Sequence, residues 1–320
     1  MYVSLFNLIR ESWLMRLARD KISKWPWYQS GPQRSLLSHH LKMKTRVTLS
    51  FMADSIRMGS ISRQRINETK KRRSSENCPV LVIGNGPSAR NLTRDQYARF
   101  KMSGGKVLVM NSFVDSPLMD FVIPDYYILM DMEYWNPVHE SELIRLGKIE
   151  KLLRNSSSTI IFIQHANQRK LFEAHDNYLF YDGRTTAGVK RQARPDKPWG
   201  LAGSVALMAI ATLKYLGHST IYFTGLDSDA SRHYFLNDLN ELIWDSRTYY
   251  FYLGENDAER RETKVDEGVF KLPGGLINNF YDLLHSDAIF RRDLMWLMSD
   301  RCVNVGGDRT NDAAPRACLL

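Results

Sequence analysis

Residues 79–92 read PVLVIGNGPSARNL. The aliphatic, β-branched run Val80–Ile83 suits a strand covered on both faces. It breaks at Gly84-Asn85-Gly86-Pro87-Ser88, and helix-compatible sequence follows. Similar short apolar runs recur in KVLVMN (106–111), DYYILM (125–130), STIIFI (158–163) and STIYFTG (219–225). Between the last two lies GLAGSVALMAIATLKYLG (200–217), a long apolar helix stopped by Gly217. Strands alternating with helices predict an α/β class, a Rossmann-like, doubly wound and mostly parallel sheet. In such sheets ligands lie beyond the strand carboxyl ends, and that is where GNGPS, MNSF and LMDMEYW fall.

Composition narrows the classes further. With 320 residues, 43% hydrophobic and 25% charged, the chain has the makeup of a globular protein with a sizeable core. No run of about 18 apolar residues predicts a membrane span, and charges at Arg10, Glu11, Arg16, Arg19 and Asp20 break any leader-like segment. The expectation is a cytoplasmic protein. Cys78, Cys302 and Cys318 are too few and too scattered for a disulfide framework or a CxxC zinc pair. The net charge of +9 is concentrated in residues 1–75, up to Lys70-Lys71-Arg72-Arg73. Zinc-finger, RNP-like and helix-turn-helix patterns are missing, so nucleic acid is not the expected partner.

Two segments follow. Residues 1–77 read as a basic helical extension ending in an exposed linker, ETKKRRSSEN, and 78–320 as the folded α/β unit. In VSLFNLIRESWLMRLARDKI, apolar Leu5, Leu8, Ile9, Trp13, Leu17 and Ile22 alternate with Arg10, Arg16, Arg19 and Lys21. Residues 1–30 therefore suit either an anionic membrane surface or a protein partner. An oligomer is left open.

The strand ends carry the candidate chemistry. Gly84 and Gly86 permit close backbone approach, and amides at the helix start behind them, at Ser88, would favour a phosphate. The stretch is neither GxGxxG nor a P-loop. Asn111 offers a donor and an acceptor to a sugar or base, or caps a helix. Asp131 could bind a ribose hydroxyl, hold a metal or cap a turn.

Taken together, VLVIGNGPSARNL, VLVMNSF and GSVALMAIATLKYLGHSTIYFTGLD resemble the bacterial sialyltransferases of glycosyltransferase family 42. The likeness spans roughly residues 79–227 and recurs near 285. A broader likeness, through IPDYYILMD and the same GxD strand, is to the MptE-like and motility-associated-factor family. The first resemblance implies a single nucleotide-binding domain, a GT-A-like sialyltransferase variant, with a lid over about 228–284. It implies inverting, metal-independent transfer of a sialic-acid-like or Kdo-like sugar from its CMP form to a glycan or glycolipid in surface polysaccharide or lipooligosaccharide synthesis.

Carried over residue by residue, Gly84, Asn85, Gly86 and Ser88 would hold the donor nucleotide, with Asn85 facing the phosphate and sugar. Asn111 would contact nucleotide or donor, and Asp131 stands where that family has an asparagine. Gly203 and Ser204 fall near a Ser-Gly pair that meets the donor carboxylate, here in reversed order. Asp227 ends the GxD strand. Tyr234, with Arg232 and His233 adjacent, would stabilise the leaving phosphate. His285, in LHSDAIFRRDLMW, would be the general base. A histidine, with an ordinary pKa near ~6.5, can take a hydroxyl proton at neutral pH. No cofactor or magnesium is implied. Trp244 and Tyr249–Tyr252 line either an acceptor groove or the lid's own core. The protein would sit peripherally on the inner face of the plasma membrane.

Two rivals remain. One is an MptE-like pyrophosphokinase with Asp131 and Asp227 on magnesium. The other is a non-catalytic module tethering a complex to the membrane.

Overall fold

The computed structural model describes residues 67–71, most of 78–164, 178–181, 194–195, most of 204–227, and short stretches between 234 and 305. In chain order the main elements are β1 (Val80–Ile83), α1 (Arg94–Met102), β2 (Lys106–Met110), β3 (Tyr126–Leu129), α2 (Glu140–Asn155), β4 (Ile160–Gln164), β5 (Tyr178–Tyr181), α3 (Val205–Leu216) and β6 (Ile221–Thr224). Short strands β7 (Tyr234–Leu236), β8 (Leu242–Asp245), β9 (Glu262–Lys264), β10 (Val269–Lys271) and β11 (Ile277–Asn279) follow, then β12 (Cys302–Asn304).

Seven strands form one sheet in the order β12-β6-β1-β2-β3-β4-β5, and every pairing is parallel. This is the expected Rossmann-like α/β architecture. The five strands expected from apolar runs are all present, and the helix expected over 200–217 is α3. The two outermost strands, β5 and β12, were not among those runs. The span expected as a lid contributes β7-β8-β9 and β10-β11, each paired antiparallel within its own small sheet.

Alternation along each strand explains the layering. Val80, Val82, Leu108, Met110, Tyr126, Ile128 and Phe162 point to the face covered by α3. Their neighbours Leu81, Ile83, Val107, Val109, Tyr127, Leu129, Ile161 and Ile163 point to the face covered by α1 and α2. Both faces are dry, so the strands need apolar residues at every position. Helix α3 buries nine of its twelve residues. The sheet covers one side of it, and Leu294 and Leu297 complete the same cluster. A helix enclosed in this way has no polar face to display.

Local chemistry sets the helix ends. Thr93 Oγ1 accepts from the Gln96 amide at 3.2 Å while the Thr93 amide donates to Gln96 Oε1 at 3.0 Å, a capping box that starts α1. Gly217, at φ 96°, stops α3, and the Gly217 and His218 amides satisfy the carbonyls of Lys214 and Leu213. Among the described residues no helix is long and apolar enough to cross a membrane.

Residues 67–71, in the last part of the region read as a helical extension and exposed linker, form a largely exposed helical turn beside α3. Tyr215 Oη donates to Asn67 Oδ1 at 3.1 Å, and Lys70 Nζ lies 4.3 Å from the centre of the Tyr215 ring. The remainder of the extension, including residues 1–30, lies outside the described residues.

Candidate functional site

The chain runs outward from β1 through β5, then returns to place β6 on the other side of β1. The carboxyl ends of β1 and β6 are therefore the point where strand order reverses, the usual ligand crevice of this architecture. The two loops that meet there are Gly84-Asn85-Gly86-Pro87-Ser88 and Gly225-Leu226-Asp227.

They are tightly joined. Gly86 N donates to Gly225 O at 3.0 Å and Gly225 N to Ser88 Oγ at 2.8 Å. Thr224 Oγ1 donates to Ser88 O at 3.1 Å. A Cβ on Gly84 would stand 2.2 Å from Gly225 O, and one on Gly86 would stand 2.5 Å from Asp227 Oδ2. The close approach that these glycines permit is thus loop against loop, where the sequence suggested ligand against loop.

The phosphate expectation also meets an occupant. The Ser88 amide, at the start of the short helical turn Pro87–Asn91, donates to Asp227 Oδ2 at 2.7 Å. A carboxylate already fills the place where an anion would accept that hydrogen bond. Ser88 and Asp227 thereby act as a latch between the β1 and β6 loops.

Asn85 is placed differently. It is 8% exposed, and its Nδ2 makes two long contacts, 3.4 Å to Met110 O and 3.4 Å to Ser112 Oγ. Its Oδ1 is buried and has no hydrogen-bond partner among the described residues. Leaving such an acceptor unmatched costs about 1–3 kcal/mol, so this atom calls for a donor from a ligand or water.

Asn111 closes β2 with φ 46°, the left-handed region that asparagine tolerates better than most residues. Its Nδ2 donates to Asp131 Oδ2 at 2.6 Å, and its Oδ1 accepts from the Met130 amide at 3.0 Å. The Tyr127 hydroxyl donates to the Asn111 carbonyl at 2.6 Å and accepts from the Val114 amide at 3.1 Å. Asn111 therefore ties the end of β2 to the end of β3. Replacing it with Ala is expected to cost about 2–3 kcal/mol, from two lost hydrogen bonds at roughly 1 kcal/mol each and added backbone strain. A urea titration would read this as a lowered midpoint at unchanged slope.

Ser204 is the residue before α3, and its hydroxyl makes no capping bond. Because α3 runs back to the start of a parallel strand, its N-terminus lies at the carboxyl edge of the sheet, with Asn85, Asn111, Asp131 and Asp227. Gly203 and His285 lie outside the described residues. Tyr234 opens β7, whose backbone pairs it with Trp244. Three contributors were not singled out from sequence: Ser112, Thr224 and Tyr127. Ser112 stands beside Asn111 in MNSF, whereas nothing local in DYYILM marks Tyr127.

Asp131 and Asp227 follow β3 and β6, whose strands stand three spacings apart in the sheet, about 14 Å. Among the described residues no three His, Cys, Asp or Glu side chains converge. Comparison with protein-family models, curated proteins and solved structures finds no match.

Proposed function

We propose that this crevice binds a CMP-activated acidic sugar and that the protein transfers the sugar, with inversion, to a glycan or lipid-linked acceptor. The observation that carries the reading is the buried, unmatched Oδ1 of Asn85 at the strand-order reversal. With the carboxylates of Asp131 and Asp227 nearby, the crevice is rich in acceptors. Such a surface suits ligands bearing hydroxyl and amine donors, which a ribose, a cytosine amine and a sugar all supply. The donor's anionic groups fit the other side of the edge, at Ser204 and the first-turn amides of the twelve-residue α3, where the helix dipole favours negative charge.

In this mechanism His285 removes the acceptor hydroxyl proton as the sugar carbon is attacked, and Tyr234 donates a hydrogen bond to the departing CMP phosphate. Asn85 and Asn111 orient the donor. The resemblance of the ordered GNGPS, Asn-ended and GxD strands to the sialyltransferases supports CMP over other nucleotides. Sialic acid and Kdo suit the same elements equally. Residues 1–30 would bring the enzyme to an anionic membrane where a lipid-linked acceptor resides.

The test is thermal unfolding with CMP, CTP, ATP, UMP and GDP, each with magnesium and with chelator. A ligand at 100 times its Kd adds about 2.7 kcal/mol. CMP is expected to raise the melting temperature whether or not metal is present. Asn85→Ala should weaken CMP binding about 5- to 10-fold, the loss of one hydrogen bond worth roughly 1 kcal/mol. A shift seen only with ATP and magnesium would overturn the transferase reading in favour of the pyrophosphokinase. Unchanged stability with every nucleotide would favour the non-catalytic tether.

A further inference from the structure

A second cluster of reactive side chains lies at the opposite, amino edge of the sheet. Cys78 precedes β1 and His218 precedes β6, two strands that pair directly. His218 is buried, and its ring packs edge-on against the fully buried Tyr126 at 5.7 Å between centres. His218 Nε2 lies 3.0 Å from Tyr126 Oη. His218 Nδ1 lies 3.1 Å from the Cys78 carbonyl oxygen and 3.8 Å from Cys78 Sγ.

These partners assign the proton. A carbonyl oxygen only accepts, so Nδ1 carries hydrogen and Nε2 takes the phenolic O–H in the neutral ring. In the imidazolium form, Nε2–H donates to the same phenol oxygen, so both charge states are hydrogen-bonded. In either state the Nδ1–H is shared between the Cys78 carbonyl and its sulfur. A hydrogen bond to sulfur favours thiolate over thiol.

Asp125, beside Tyr126, is paired with Lys101 at 2.7 Å and Lys106 at 3.5 Å, and the Lys106 amide donates to Pro79 O. Lys214 stands in the last turn of α3, and Lys70 and Arg194 stack on Tyr215. Cys302 is a useful contrast, because burial pushes its thiol up more than Lys214 pulls it down.

We propose that Cys78, with His218 held by Tyr126, is a reactive thiol that is modified by low-molecular-weight disulfides. The Cys78 thiolate attacks one sulfur of the disulfide. A new Cys78–sulfur bond forms, the old sulfur–sulfur bond breaks, and the expelled thiolate takes a proton from solvent. His218 acts here as a hydrogen-bond donor to the sulfur, not as its base, because the nitrogen that faces Cys78 already carries hydrogen. Cys78 retains partial solvent access for the reagent.

The experiment uses the full chain with iodoacetamide across pH, then with oxidised glutathione, and peptide mass mapping to separate the three cysteines. The alkylation rate of Cys78 is expected to follow an apparent pKa at least about one unit below the ordinary ~8.5. At pH 7 that makes it about three-fold faster than free cysteine, after allowing for the lower nucleophilicity of a less basic thiolate. The glutathione adduct should appear on Cys78 and not on Cys302. His218→Gln should return the midpoint towards ~8.5, and Tyr126→Phe should move it part of the way. If neither variant folds, the wild-type profile decides alone: a midpoint at or above ~8.5 overturns the proposal.

Discussion

Gly225→Ala is expected to lower the unfolding free energy by about 2–5 kcal/mol, a large fraction of the ~5–15 kcal/mol that holds a domain of this kind together. Two separate costs combine. Gly225 sits at φ 69°, where an L residue pays about 1–2 kcal/mol. The added Cβ would also stand 2.5 Å from Gly84 O and 2.8 Å from the Ala89 Cβ, inside a contact that backbone atoms cannot relieve cheaply. Overpacking of that sort costs roughly 1–3 kcal/mol. Gly104→Ala supplies the control, since Gly104 has φ 82° with open space around it. It should pay the torsional cost only. Urea unfolding of both variants measures the difference, and equal losses would show that the β1 and β6 loops do not press together as described. The same contact shapes the crevice, so on the proposed reading Gly225→Ala should also weaken CMP binding wherever the variant still folds.

On the proposed transferase reading, His285→Ala is expected to lower kcat for transfer from a CMP-activated acidic sugar by about 10²–10⁴-fold, the usual contribution of a positioned general base. On that reading the lost group acts on the acceptor hydroxyl, so donor KM should change little and the CMP-induced thermal shift should be unchanged. CMP release measured with CMP-sialic acid and CMP-Kdo gives both numbers. A variant with full activity would remove His285 from the mechanism while leaving the nucleotide site standing. A variant that loses CMP binding as well would mark His285 as part of the binding surface or of the fold.

Much of the central sheet was legible because burial on both faces writes itself locally. A strand with no solvent-facing side must be apolar at nearly every position, and VLVI, KVLVM, YYIL, IIFIQ and IYFT all are. The helix over 205–216 was legible for the same reason, with Gly217 marking its stop. The edge strands YLFY and CVN were not singled out: CVN is only three residues long, whereas YLFY is as long and as apolar as VLVI, so length does not explain its omission. Apolar pattern reports how much water a segment meets, and it carries no information about which distant segment supplies the cover.

That limit also divides the site. From the sequence alone it followed that polar junctions end β1, β2, β3 and β6, with glycines in those after β1 and β6, and that ligands collect at such ends. Only the tertiary structure could show that Gly84 and Gly225 exist for each other, that Asp227 seats itself on the Ser88 amide 139 residues away, and that Asn111 spends both ends of its amide on β3. It likewise brought Cys78 to His218 across 140 residues. Each of these is a pairing through space, set by the order in which parallel strands are laid side by side. Strand order is a global property of the chain, so no local spacing of residues encodes it.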